Sequence, residues 1–183
     1  MNDNPLIAAL IATVAAGMTA QGITVGIKQA YQPTQQGAPS TPYVLLHKVA
    51  DKRYGWPERA NAYNATTGVM THTETVWLET TYQVDAIARQ VSTDTTGLTA
   101  ADYLKAVART LQSDVAIESL EAQGIGILRI DKFQQTYWTD DRGQNETNPM
   151  FTFVVTHSDV LTNTVGSTAT VNADMVPVDT IGV

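Results

Sequence analysis

Between residues 74 and 90 the side chains alternate. Val76, Leu78, Thr80, Tyr82, Val84, Ala86 and Ala88 fall on one face, and Trp77, Glu79, Thr81, Gln83, Asp85, Ile87 and Arg89 on the other. A period of two predicts a long β-strand with its more apolar face on a core. The second face mixes acid, amide, Trp77 and Ile87 in a way that suits neither a solvated surface nor a second core, which marks it for a partner.

A different period governs the first twenty residues. Leu6, Ile7, Leu10, Ile11, Val14 and Met18 recur at spacings of three and four, the stripe of an amphipathic helix that ends before Gly22. Asn4 can accept from the free amides of its first turn, and Pro5 suits the first helical position. Residues 23–30 predict a short strand, 32–42 a loop rich in Pro, Gly, Ser and Gln, and 43–50 a second strand with Tyr43, Leu45, His47 and Val49 on one side. Residues 51–73 hold Gly55, Pro57, Asn61, Asn64 and Gly68, which predict an extended hairpin or loop connection. That connection also carries Tyr54, Trp56, Tyr63 and Met70, suited to packing or to a subunit interface, where aromatic residues are enriched.

After the long strand, Thr99 and Asp102 make a capping-box pair ahead of a stripe of Ala101, Leu104, Val107, Ala108, Leu111 and Val115. Residues 110–114 are placed to interrupt this helix, 116–123 to continue it, and Gly124 to end it. Residues 124–138 return to strand, 139–148 form a polar tip, and 149–161 come back as a strand with Phe151, Phe153 and Val155 on its buried side. The order predicts an α+β fold: a largely antiparallel sheet of four or five strands with helices on one face. Residues 1–162 are expected to form one domain and residues 163–183, rich in Thr, Asn, Gly and Val, an extended C-terminal arm, loose alone or paired with a neighbour's sheet edge.

Composition narrows the function. Eleven basic against eighteen acidic residues leave a formal charge of −7, with no basic cluster, so groove-tracking nucleic-acid binding is disfavoured. Zero cysteines remove disulfides, thiolate metal sites and cysteine nucleophiles together. The apolar run from Leu6 to Ala16 follows Asn2, Asp3, Asn4 and Pro5, with no positive segment ahead of it, and at about a dozen residues is short for a bilayer, so neither an export signal nor a membrane anchor is expected.

Candidate chemistry is sparse. His47, His72 and His157 fall singly in or beside strands; only His47 and His157 could meet, if their strands pair, so no metal site is expected. Asp140, Asp141, Asn145 and Glu146 lack the spacing of a calcium loop and read as a solvated tip. Carboxylate pairs could be drawn from Glu74, Glu79, Asp85 and Asp131, as in any acidic domain. No nucleophile elbow, phosphate loop or dinucleotide fingerprint occurs. The expectation is a protein without catalytic residues and without cofactor.

One resemblance spans most of residues 5–160. Gly55-Trp56-Pro57, the strand Glu79-Thr80-Thr81-Tyr82-Gln83-Val84-Asp85, the helix opening Thr99-Ala100-Ala101-Asp102, Leu120 followed by Gly124-Ile125, and Phe151-Thr152-Phe153-Val154-Val155 resemble, in order and spacing, the phage neck or tail terminator proteins. The resemblance implies an α+β subunit of a homohexameric ring on the head-proximal end of the tail tube. Such a ring stops tube polymerisation and docks the neck connector, with a sheath protein as a further neighbour. It implies a virion protein of the tail–neck junction, assembled in the host cytoplasm, through which DNA passes without specific binding. Trp56, Tyr63, Trp77 and Gln83 are the expected interface positions; Asp140, Asp141 and Glu146 are the expected acidic border of the channel, where excess acid would repel phosphate. Rival readings are a tube or baseplate subunit, usually richer in β-structure, and a small-ligand module or hydrolase, which would need a pocket with convergent polar groups.

Overall fold

A computed structural model describes residues 3–29, 41–88, 96–130, 133–139 and 145–166. The elements run α1 (Asp3–Ala20), β1 (Gly26–Gln29), β2 (Tyr43–Asn64), β3 (Val69–Ile87), α2 (Ala100–Leu111), α3 (Asp114–Glu121), β4 (Ile125–Ile130), β5 (Gln134–Thr139) and β6 (Asn145–Gly166). Among the described residues the strands form one sheet in the order β1-β2-β3-β6-β4, with β5 also paired to β6. The alternating strand thus lies inside the sheet, and the fold is α+β as its periodicities require.

Two features depart from the simple antiparallel expectation. Among the described residues the strands number six, and β1 runs parallel to β2, from Gly26 opposite Tyr43 to Gln29 opposite Leu46. Parallel neighbours need a long crossover, which residues 30–42 are long enough to supply. The predicted strand over 124–138 is two, β4 and β5, set antiparallel along successive lengths of β6: Ile125 faces His157, and Gln134 faces Met150.

The chain divides into two units, Met1–Trp56 with Val76–Asp159 and Pro57–Thr75 with Val160–Val183. In the first, Leu6, Leu10, Val14 and Met18 of α1 join Leu104, Val107 and Leu111 of α2 and Leu120 of α3 in one buried cluster. Val44, Leu46, Tyr82, Val84, Ala86, Phe151, Phe153 and Val155 complete it from the sheet. The predicted parity of β3 is therefore realised. Tyr82 stacks on Phe153 with ring centroids 5.8 Å apart. α2 begins with the Thr99–Asp102 capping box, and Ser113 accepts from the Ala116 N–H at 3.3 Å to start α3, so the predicted interruption is a second N-cap. α1 is long and apolar enough to cross a membrane by length and composition, yet its stripe is spent on this core.

Where α1 meets α2, space is tight: a Cβ on Gly17 would fall 2.1 Å from Thr110 Cγ2. Thr110 is itself fixed, donating to Ala106 O at 3.0 Å and accepting from Gln21 Nε2 at 2.8 Å.

The second unit contains the outer ends of β2 and β3, joined by residues 65–68. Its turn is closed by Asn64, whose Oδ1 accepts from the N–H groups of Thr66 and Thr67 at 3.0 and 3.3 Å, and by Gly68 at φ 63°. Arg59 pairs with Glu74 at 2.7 Å, and His72 Nδ1 lies 2.6 Å from Asn61 Oδ1. The aromatic connection of residues 51–73 is thus strand for most of its length. The end of β6 also belongs to this unit, with Val160, Leu161 and Val165 exposed; positions 163–166 of the expected arm are strand, and 167–183 lie outside the described residues.

Two substitutions test this packing. Gly17→Ala should lower the unfolding free energy by about 1–3 kcal/mol through overpacking, measured by urea denaturation. The buried hydroxyl of Tyr82 has no hydrogen-bond partner among the described residues, so Tyr82→Phe should leave stability unchanged or raise it by up to about 1 kcal/mol. A loss of stability in Tyr82→Phe would show that the hydroxyl is satisfied.

Candidate assembly surfaces

Because β1 pairs only with residues 43–46 of β2, the remainder of β2 has β3 on one side and no strand on the other among the described residues. An unpaired edge offers its backbone donors and acceptors to another chain. On this strand Gly55 takes a positive φ of 73°, a conformation that suits glycine, and the neighbouring Trp56 is 93% exposed. Tyr54 is exposed on the same stretch. Tyr63, 56% exposed, belongs to the second unit. Large rings standing in water on a free edge are unusual for a finished surface.

The mixed face of β3 has a more particular structure. Trp77 is 48% exposed; Gln83 is half-buried and donates from Nε2 to Asp85 Oδ1 at 3.0 Å. Asp85 is buried and also lies 3.3 Å from His47 Nδ1. Burial raises the pKa of Asp85, against the opposing pull of the Gln83 hydrogen bond and of His47. Gln83 thus positions a carboxylate, and Asp85, first noticed only as one of many acids, is the center of the face. Lys52 and Glu79 pair at 3.4 Å. Of the four expected interface positions, Trp56, Tyr63 and Trp77 are exposed and Gln83 is half-buried. Asp140 and Asp141 lie outside the described residues, and for Glu146 only the backbone is described, in β6 opposite Trp138.

A second polar constellation was not foreseen. His157, 2% exposed, is set on the core-facing side of β6, and its Nε2 lies 2.9 Å from Thr80 Oγ1. Thr80 donates to Asp51 Oδ1 at 2.7 Å, and Asp51 pairs with Lys48, which also binds Asp3 of α1 at 2.7 Å. The chain of contacts borders an open depression of about 550 Å³ beside the first turn of α1, lined by Asp3, Lys48, Asp51, Leu78, His157 and Asp159 among others. Burial lowers the pKa of His157. Burial alone would raise Asp51, but hydrogen bonds from Lys48 and Thr80 outweigh it and hold that carboxyl below its usual range. The possible meeting of His47 with His157 does not occur: β3 stands between their strands, and each histidine has its own partner. No cluster of three His, Asp or Glu able to hold a metal occurs among the described residues.

These environments give opposite pH signatures. His157 and Asp51 have folded pKa values below their unfolded ones, so as pH falls the unfolded chain gains protons first and both contributions to stability are lost, His157 from about pH 6.5 and Asp51 from about pH 4. Asp85 has the reverse sign: its raised folded pKa favours the fold at low pH, and that benefit is lost as pH rises through the folded value. Asp85→Asn should therefore raise the denaturation midpoint at pH 7 relative to its effect at pH 4. An equal effect at both pH values would contradict the assignment.

Comparison with solved structures agrees with this fold. The chain is similar to the sheath/tube terminator, in its extended state, of an extracellular contractile injection system, PVC, with 11% identity and a TM-score of 0.54, covering 100% of this chain and 65% of that one. It therefore spans about two thirds of that terminator's length, and the likeness is one of fold. A chain from the virion of a native gene transfer agent particle aligns at 15% identity over 83% of this chain and 93% of that one, with a TM-score of 0.27. No curated protein matches at a significant level. The family model described as E217 gateway protein gp29 matches residues 5–167. Nearly all of the described fold falls within that span, and the chain belongs to the phage E217 gateway protein gp29 family, in keeping with the resemblance to phage neck and tail terminator proteins.

Proposed function

We propose that this protein is a tail terminator, a virion subunit that assembles with copies of itself at the head-proximal end of a tail tube. The observation that carries this reading is the family match over residues 5–167. The structure supports it in kind: a free β2 edge carrying Trp56 and a half-buried mixed face on β3 are surfaces that a subunit of an assembly would cover. In this reading six copies close a ring, one surface stops tube polymerisation and the opposite one receives the neck connector, with sheath protein as a further neighbour. Assembly takes place in the host cytoplasm and the product stays at the tail–neck junction of the virion.

The protein acts by shape and makes or breaks no covalent bond. Residues 1–162 form the body of the ring subunit, and residues 163–183 form an arm that pairs with a neighbour. DNA passes the lumen without being held, because a net charge of −7 repels phosphate. Asp140, Asp141 and Glu146 border that channel.

Light scattering of the purified chain, with and without tube protein, tests the assembly directly. Rings, or capped tubes of limited length, are the expected products; a chain that stays monomeric and leaves tube growth unchecked would defeat the reading. Trp56→Ser should weaken self-association at least tenfold while leaving the thermal midpoint nearly unchanged, since its side chain makes no core contact. The combined Asp140→Asn, Asp141→Asn and Glu146→Gln variant should assemble normally and alter the rate of DNA ejection; an unchanged rate would remove these residues from the channel.

A further inference from the structure

The sheet of the first unit has two open edges, and they lie on opposite flanks. In the order β1-β2-β3-β6-β4, β1 covers only residues 43–46 of β2, and β4 ends the other side with β6 as its one strand partner among the described residues. Residues 47–56 of β2 and Ile125–Ile130 of β4 belong to the same unit, so one sheet carries both edges. Each leaves backbone N–H and C=O groups ready for a further strand.

The side chains beside the two edges are complementary. Along β2, Val49, Tyr54 and Trp56 are exposed, and Arg53 is exposed among them with no ion-pair partner among the described residues. On the other flank α3 packs on β4, with Leu120 and Ile125 both in the core cluster. The outer surface of α3 carries Val115, 79% exposed, and the exposed acids Asp114, Glu118 and Glu121 with no basic residue; Leu128 of β4 is 45% exposed. Two β2 edges brought together would gather cations, and two β4 edges would gather carboxylates, an arrangement that is costly at an interface. The unlike pair of edges instead brings a guanidinium to carboxylates and aromatic rings to aliphatic side chains.

We propose that the β2 edge of one copy pairs with the β4 edge of the next, so that the sheet runs on from subunit to subunit; the proposal rests on the self-assembly proposed above and names its contact. The six residues of β4 find their partner within residues 47–56, Tyr54 and Trp56 cover Val115 and Leu128, and Arg53 meets the carboxylates of α3. Such a contact is heterologous. Each copy offers one edge and receives the other, and repetition gives a ring or an open filament, never a closed dimer.

The chain has no cysteine, so introduced thiols report the contact without background. Copies with Ala50→Cys or Tyr54→Cys, mixed with equal amounts of Leu128→Cys copies and assembled, should be joined by a short bismaleimide into dimers of one variant with the other. A chain carrying both Ala50→Cys and Leu128→Cys should give a ladder of multimers. Arg53→Glu should weaken assembly about tenfold, as should Glu118→Lys with Glu121→Lys, and the three together should restore most of it. The thermal midpoints of the unassembled variants should stay unchanged, because these side chains are exposed. Cross-links confined to like copies, or assemblies that give none of these cross-links, would overturn this proposal and leave the assembly reading standing. Losses that simply add in the combined charge variant would overturn it too. Failure of the chain to assemble at all would overturn both readings.

Discussion

The two faces of β3 are the constraint on which the rest of the molecule depends. A strand side chain points to one face or the other, and a one-residue slip would exchange the sets. With Thr80, Tyr82, Val84 and Ala86 committed to the core under α1 and α2, Trp77, Gln83 and Asp85 are forced onto the opposite side. The Tyr82–Phe153 stack and the burial of Leu10 and Val14 hold this register in place. The core therefore decides which residues are left for partners.

The same geometry explains the exposed edge. β1 is too short to cover β2, whose strand runs on through Gly55 and Pro57 to Asn64. A soluble protein commonly blunts such an edge with charge or proline; here Pro57 and the charged residues Lys52, Arg53 and Arg59 share the strand with Tyr54, Trp56 and Tyr63. The mixture prevents indiscriminate pairing and still leaves apolar anchors. In the proposed assembly such a surface would suit a subunit that meets one neighbour, and the chain's membership of the E217 gateway protein gp29 family is in keeping with that.

Much of this was legible in the chain itself. The α1 stripe, the Thr99 capping box, the break before α3 and the parity of β3 are local signals, each written within a few residues. Trp77 and Gln83 could be placed from that parity, and Trp56 from its setting beside Gly55 and Pro57. The parallel pairing of β1 was hidden because its partner lies more than a dozen positions further along the chain. Strand β2 was under-read because Gly55 and Pro57 are ordinarily turn signals. The Asp51–Thr80–His157 chain was invisible because its members, 29 and 77 positions apart, meet only when β2, β3 and β6 align. Asp85 could have been singled out, since a carboxylate at a regular position of a central strand needs partners.

The central claim is that the free edge of β2 becomes covered when the protein performs its role. Backbone hydrogen exchange at residues 47–64, compared between the isolated chain and the same chain bound to tail tube, tests it most directly. The account predicts that the outward amides of this stretch exchange rapidly in the isolated chain and become protected in the bound one. Equal exchange in the two states would contradict it.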